Sequence, residues 1–543
     1  MPITIKVESL QLNPILKDVE KGLLKIPRFQ REVVWELVDS VKLLDSIYRG
    51  FPIGCFVIWQ TLEKLSDVRS IGHLALPEPP DNQLPSYVLD GQQRVTSIFA
   101  CAREAEVPQK NRKSPVKYVA WFDLDGKKFT STKPVNGVTF RQLITENYDE
   151  YRDPLPETHK KVFSEARRRL TEEYKFAAVT ILDCDIEEAC EIFERINNSG
   201  KKLTVFDLLV AKAYAADFDL REAWKKVDKE LGNFSGMNPV LPMQALSLVT
   251  VKLDPERATA SPTVAASDKY GCHKRHLLKI PPSEIKSQWI DLQDAVKLAI
   301  DFIQNRVGVP TLKLMPSEAP IALFSLFFIL NKKYGPNELQ AEQLCRFFWA
   351  SCTTGRYSGS SESTMEEDAL AIREIIAGKT VPLDWAKPMS ADEILNARYD
   401  RRDAKVQTIL CLYASNKPLG FKSCTPIPVA TEFSQFNATE LHHIFPRGWL
   451  KKADKHFLSR EHSLANICLA PSREQRHEIG YKPPGEYLSM FKETNPKLGD
   501  CLKSHFMDGE LEPLLMNNSF ESFLQQRAKV LAKALNAKAG VTT

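Results

Sequence analysis

The chain changes its pattern near residue 204. Before that point, short apolar runs alternate with helical stretches. After it, helical stretches follow one another with little between them. Val34, Val38, Val41, Leu44 and Tyr48 recur at helical spacing and predict an amphipathic helix over 32–48. The apolar, β-branched run at 55–59 predicts a buried strand, as do 87–90 and 177–182. Helices are expected at 92–102 and at about 186–196, and the Pro-rich stretch 60–85 reads as a loop. Strands alternating with helices favour a mixed α/β domain at the N-terminus. Thr204 with Asp207 has the form of a capping box before the helical run. Loops are expected at 353–364, rich in Gly, Ser and Thr, and at 413–437, with Pro418, Gly420, Pro426 and Pro428. At 543 residues the chain is long enough for about three domains. We divide it at 1–215, 216–425 and 426–543, giving an α+β multidomain protein with a helical middle.

Composition excludes several classes. Apolar residues make up 43% and charged residues 26%, which argues against wholesale disorder and against a coiled-coil rod. The net charge of +4 is too mild to imply nucleic-acid binding by itself, so any DNA contact must come from a local patch. The longest apolar run, 321–330, is too short to span a bilayer and reads as a buried core helix. The first ten residues lack a charged segment followed by an apolar run. Eleven dispersed cysteines form no CxxC pair and read as reduced thiols, so a cytoplasmic protein without a membrane partner is expected. Cys272, His273 and His276 have no second ligand pair nearby, which disfavours a zinc site there.

Five of the ten histidines fall within 442–477. The centre of the cluster is Glu440-Leu441-His442-His443-Ile444-Phe445-Pro446. It is followed by Ser463-Leu464-Ala465-Asn466-Ile467-Cys468-Leu469, and then by Arg473-Glu474-Gln475-Arg476-His477. Phosphodiester hydrolysis needs a base that activates water, a metal that stabilises charge, and a group that orients the base. Adjacent histidines, an amide on a following strand and a helix beyond it could supply all three. This stretch, about 440–485, resembles an HNH nuclease, the ββα-metal finger. The resemblance implies that His442 is a metal ligand, that His443 is the general base, and that Asn466 orients the loop bearing the base. Many members carry an Asn on the closing helix. Gln475 stands at that place here with His477 two residues on, and either could be the further ligand of Mg²⁺ or another divalent metal. His456 and His462 have no assigned role. Lys451, Lys452, Lys455 and Arg460 could meet DNA phosphates or simply form a solvated face.

The second distinctive string is Asp90-Gly91-Gln92-Gln93-Arg94, where a strand ends and a helix begins at once. Helix N-terminal amides favour an anion, Gly91 permits close approach, and Arg94 adds a planar donor fork. Upstream lies Ile26-Pro27-Arg28-Phe29-Gln30-Arg31, with Trp35 after it. Downstream lies Phe193-Glu194-Arg195-Ile196-Asn197-Asn198-Ser199-Gly200. In this order the segments resemble the N-terminal domain of the GmrSD family of modification-dependent restriction enzymes. Phe348-Trp349, Gly355-Arg356-Tyr357 and Glu366-Glu367-Asp368 extend the likeness. The resemblance implies a ParB/sulfiredoxin-like fold with NTPase activity. It also implies a site for GTP or another NTP formed by Asp90, Gly91, Gln92, Gln93 and Arg94, with Gln30, Arg31, Arg195 and Asn197 joining it. The implied substrate is double-stranded DNA, such as phage DNA with modified cytosine or phosphorothioate links. The implied role is anti-phage defence. A nucleotide-regulated DNA-binding protein with a non-cutting finger, or an abortive-infection effector, is the alternative. Homo-oligomerisation is left open.

Overall fold

The computed structural model describes residues 3–26, 35–61, 77, 80, 83, 85–107, 114–184, 186–196, 204–213, 216, 218–249, 271–359, 361–399, 403–434, 442–470 and 478–542. The chain forms two compact units. One comprises Met1–Leu220 with Pro281–Lys286, and the other comprises Arg221–Ile280 with Ser287–Thr543.

The first unit is built on a mixed five-stranded sheet. Its strands are β1 (Thr4–Leu10), β2 (Leu24–Lys25), β3 (Phe56–Gln60), β4 (Ser86–Asp90) and β5 (Phe176–Leu182), in the spatial order β1-β5-β3-β4-β2. The edge strand β1 runs antiparallel to β5, from Thr4 opposite Leu182 to Leu10 opposite Phe176. β5 and β3 are parallel, β3 and β4 antiparallel, and β4 and β2 parallel. The expected strands at 55–59, 87–90 and 177–182 therefore form the sheet's centre. β3 and β4 are apolar and buried on both faces, whereas β5 leaves Ala177 exposed and Val179 half-buried. On one face Phe56, Ile58 and Val88 pack in a core with Leu44 and Ile47 of helix α1 (Leu37–Tyr48) and with Val95, Ile98 and Phe99 of helix α2 (Gln92–Arg103). On the other, Trp59, Tyr87 and Leu89 are equally buried, and the Trp59 indole donates to Cys184 O over 3.2 Å. A register shift between Val57 and Ile58 marks a bulge beside Asp90.

Helix α3 (Ile186–Ile196) follows β5, and α4 (Val205–Ala213) carries the expected capping box. The Thr204 N–H donates to Asp207 Oδ2 at 2.9 Å, and the Asp207 N–H returns a bond to Thr204 Oγ1 at 3.2 Å. The first part of the expected helix 32–48 and most of the 60–85 loop lie outside the described residues.

The second unit is mainly helical. The apolar run 321–330 lies in α5 (Ala319–Leu330), buried nearly all round. α6 (Glu338–Thr354) and α7 (Ser361–Ile376) leave a shorter interruption than the 353–364 loop expected. The hydroxyls of Thr353 and Thr354 bond back to Ala350 O, and Gly355 closes the helix in the left-handed conformation at φ 58°. α8 (Ala404–Ser415) and a short helix at Val429–Ser434 likewise enter the 413–437 segment read as loop. The last helix, α9 (Phe520–Ala539), buries Leu524, Leu531 and Leu535, and packs on α6. No helix among the described residues is long and apolar enough to cross a membrane.

Candidate active site

In the second unit a two-residue strand β6 (His442–His443) pairs antiparallel with β7 (Ile467–Cys468), His442 opposite Cys468 and His443 opposite Ile467. Adjacent strand residues face opposite ways, which separates the two imidazoles. His442 turns inward, with its ring edge-to-face with Tyr487 at 6.2 Å. Its Nε2 is buried and has no hydrogen-bond partner among the described residues. Burial first, then the neighbouring His443 and His505, push its pKa down to about 3, so it is neutral at pH 7. His443 is half-buried on the other face.

Asn466 is fully buried between the segments it joins. Its Oδ1 accepts the Phe445 N–H at 2.9 Å, while its Nδ2 donates to Phe445 O at 3.2 Å and to Glu461 O at 2.9 Å. Its own carbonyl accepts the Ile444 N–H at 2.8 Å. One amide therefore fixes the chain just after the histidine pair and the turn that carries Glu461 and His462.

That turn brings in residues the sequence left without a role. His443 Nε2 lies 3.1 Å from His462 Nδ1, and His462 Nε2 lies 3.1 Å from Glu461 Oε1. Arg447 Nε is 3.1 Å from the other Glu461 oxygen. Burial first, then His462, lower the basicity of His443, and Glu461 opposes them. His462 stood in the histidine cluster, but spacing alone could not link it to His443 across 19 residues.

Buried side chains hold the strand pair from beneath. Arg527 of α9 donates from Nη1 to Ala465 O at 2.7 Å and to Ile467 O at 2.8 Å, and from Nη2 to His505 O at 2.9 Å. Tyr487 donates to Ile444 O at 3.0 Å and Tyr413 to Leu464 O at 2.8 Å. Arg447 begins a short helix, α10 (Arg447–Ala453), whose Lys451 and Lys452 are exposed, as are Lys455 and His456 beyond it. Glu440, Gln475 and His477 lie outside the described residues, and so does most of the expected closing helix. Among the described residues no group of three His, Cys, Asp or Glu side chains is disposed to hold a metal ion.

In the first unit, β4 ends at Asp90 and Gly91 turns into α2 with φ 95°. A Cβ on Gly91 would overlap the Phe56 ring, so the turn admits only glycine. Arg94 reaches back beneath it. Its Nη1 donates to Ile53 O at 2.6 Å, and its Nη2 donates to Cys55 O at 3.0 Å and Asp90 Oδ2 at 2.8 Å. A Cβ on Gly54, at φ 89°, would overlap this guanidinium. Gln92 is buried, and Gln93 Oε1 accepts the Trp35 N–H at 3.3 Å. Arg195 is exposed at the end of α3 and pairs with Glu191 at 2.5 Å. Gln30, Arg31 and Asn197 lie outside the described residues.

Residues 12–214 match the family model of the GmrSD restriction endonuclease N-terminal domain. The match takes in four of the five strands, β2 to β5, with the Asp90–Arg94 turn and α3. It supports a GmrSD-like restriction-enzyme family for the chain. The β6–β7 centre lies beyond the matched segment. The chain is also similar to an uncharacterized protein of Methanocaldococcus jannaschii. The two are 23% identical over 611 positions, which cover 97% of this chain and 98% of that one.

Proposed function

We propose that the chain is a nucleotide-regulated, metal-dependent HNH endonuclease that cuts modified foreign DNA in anti-phage defence. The observation that carries this reading is the histidine pair on β6, one imidazole buried and neutral, the other half-open, with Asn466 pinning the backbone just beyond them. His443 is the general base. It takes a proton from water, the water oxygen bonds to phosphorus, and the P–O bond to the departing sugar oxygen breaks. His442 fits a divalent metal, because its buried Nε2 has no partner among the described residues and its imidazole is not protonated at neutral pH. Gln475 or His477 is the further ligand. An imidazole donor suits a transition metal, and Mg²⁺ is the alternative. When bound, the ion supplies charge stabilisation at the phosphate. Exposed Lys451, Lys452 and Lys455 are suited to backbone phosphates.

The first unit is read as the NTPase sensor with a ParB/sulfiredoxin-like fold. The Gly91 turn supports this, because it sets the N-terminus of α2, the end of a helix that favours anions, directly after the end of β4. Asp90, Gly91, Gln92 and Gln93 form the nucleotide wall, with Arg195, Gln30, Arg31 and Asn197 as further candidates. Arg94 belongs to this wall as its brace, since Ile53 O, Cys55 O and Asp90 already engage its donors. GTP or another NTP is the expected ligand.

The test is digestion of matched DNAs, unmodified, hydroxymethylated, glucosylated and phosphorothioate-linked, with and without GTP and divalent metal. Cutting confined to a modified DNA and abolished by EDTA is expected. Loss of cutting in His443→Ala, with metal binding retained, assigns the base. His442→Ala should weaken metal binding as read by calorimetry. No cutting of any DNA would leave a nucleotide-dependent DNA-binding protein.

A further inference from the structure

We propose that a cavity in the helical second unit binds a nucleotide, with its phosphate held by Arg356, Lys387 and Lys405. The inference goes beyond the nuclease reading and does not rest on the histidine pair. The cavity measures about 590 Å³, inside the range of about 300–1,000 Å³ usual for small-ligand sites. Its lining runs from the end of α6 through Trp385 and Lys387 to Glu393 and the start of α8. One wall is a guanidinium braced from behind. Gly355 turns the chain out of α6, and Arg356 then donates from Nε to Asp368 Oδ2 at 2.8 Å and from Nη2 to Asp368 Oδ1 at 2.7 Å. Asp368, buried on α7, also accepts the Tyr357 hydroxyl at 2.7 Å. The strings Gly355-Arg356-Tyr357 and Glu366-Glu367-Asp368 thus meet at one carboxylate. The guanidinium lies over the Trp385 ring at 4.0 Å, and Phe347 of α6 meets that ring edge-to-face. Asp368 takes two of the five N–H groups of the fork, and Nη1 has no hydrogen-bond partner among the described residues. A fork fixed on one side gives up little further freedom when its other side meets the oxygens of a phosphate.

Charge and hydrogen-bond polarity then select the ligand. Two ammonium groups share the cavity with Arg356. Lys405, at the start of α8, donates to Glu393 Oε1 at 2.7 Å, and Lys387 is exposed. Three cations and one carboxylate line the cavity, an excess of positive charge that an anion complements; Asp368 and Glu367 approach Arg356 from outside the lining. The threonines set the rest of the ligand. Thr353 and Thr354, the last residues of α6, each give a hydroxyl proton to Ala350 O, at 2.9 and 3.0 Å. A hydroxyl that has donated keeps only lone pairs to offer. These two therefore favour N–H or O–H donors, which a sugar or base carries and a bare polyphosphate lacks. A ligand that joins a phosphate to such donors is a nucleotide, either free or as one unit of a DNA strand.

The test reads the cavity directly, by lysine acetylation of the full-length protein and mass spectrometry. The probes are GMP, a short single-stranded DNA and inorganic tripolyphosphate, all in EDTA so that the DNA stays whole. A nucleotide probe should protect Lys387 and Lys405, while an exposed lysine of the first unit, such as Lys128, stays reactive. Protection by GMP assigns the cavity to a free nucleotide. Protection by the DNA without protection by GMP assigns it to a unit of a strand. Tripolyphosphate that protects as well as the better nucleotide probe overturns the nucleotide class, and no protection by any probe overturns the pocket. Substitutions at the two exposed lysines then test the shared phosphate. In Lys387→Ala the probe concentration that protects Lys405 should rise about tenfold or more, the loss expected for one charge-assisted hydrogen bond. Lys405→Ala should raise the concentration that protects Lys387 in the same way. Unchanged concentrations in both variants overturn the inference. Cutting plays no part in this readout, so the nuclease reading and this one stand or fall separately.

Discussion

His505 is buried against Phe421 with Nε2 2.9 Å from Leu419 O, and burial is the main reason its pKa falls to about 4. The unfolded chain protonates such a histidine near pH 6.5, while the folded chain resists until about pH 4. Between those values the unfolded state binds more protons, so folding weakens as the pH falls. The slope is about 1.4 kcal/mol per pH unit for one group. Urea unfolding at pH 7 and pH 5 should therefore show a drop that His505→Gln, still able to donate to Leu419 O, reduces by about 2 kcal/mol. An equal drop in both proteins would mean that His505 is not the group responsible. Gly91 offers a second residue-scale prediction. Gly91→Ala forces a left-handed backbone and a methyl group into the Phe56 ring, and should cost about 1–3 kcal/mol. Calorimetric unfolding of the first unit is the measurement. Nucleotide affinity should fall with it, because the first amides of α2 would shift.

At the scale of elements, what could be read from the sequence divides by burial. The central strands β3, β4 and β5 were legible as short apolar runs because most of their residues are buried. β1 was not, since it is an edge strand with Ile5 and Val7 exposed among polar residues, and nothing in TIKVESL demands burial. The 353–364 interruption was overestimated because threonines read as loop formers instead satisfy carbonyls within α6. In the candidate centre, His442, His443 and Asn466 were legible as a spaced pattern. Glu461 and His462 were not, because their link to His443 depends on how a turn folds back, and Asn466 fixes that turn through a backbone carbonyl. Arg527 was hidden for the same reason. Its partners are main-chain oxygens, which carry no sequence signal. Arg527→Met should leave the carbonyls of Ala465, Ile467 and His505 without their donor, at a cost of about 3 kcal/mol or more. The unfolding midpoint of the second unit should fall by that amount. A midpoint unchanged from wild type would show that water replaces the guanidinium.

At the scale of the whole molecule, the Asp90–Arg94 turn and the β6–β7 pair belong to different compact units. Two ligands bound to different units influence each other only if each prefers one of two states of the structure joining them. We predict that GTP changes the rate at which modified DNA is cut, and that modified DNA changes the rate of GTP hydrolysis. The measurements are hydrolysis with modified and unmodified DNA of equal length, and cleavage with and without nucleotide. Indifference in both directions would leave two independent activities on one chain.

The clamp formed by Arg527 also orders events in time. Its carbonyl partner Ala465 precedes it by 62 residues, and the strand holding both histidines rests on the segment it grips. A ribosome making this chain finishes the histidine pair long before it supplies the guanidinium that secures β7. A nascent or prematurely terminated chain therefore carries the histidine pair and Asn466 without the support that holds them in line.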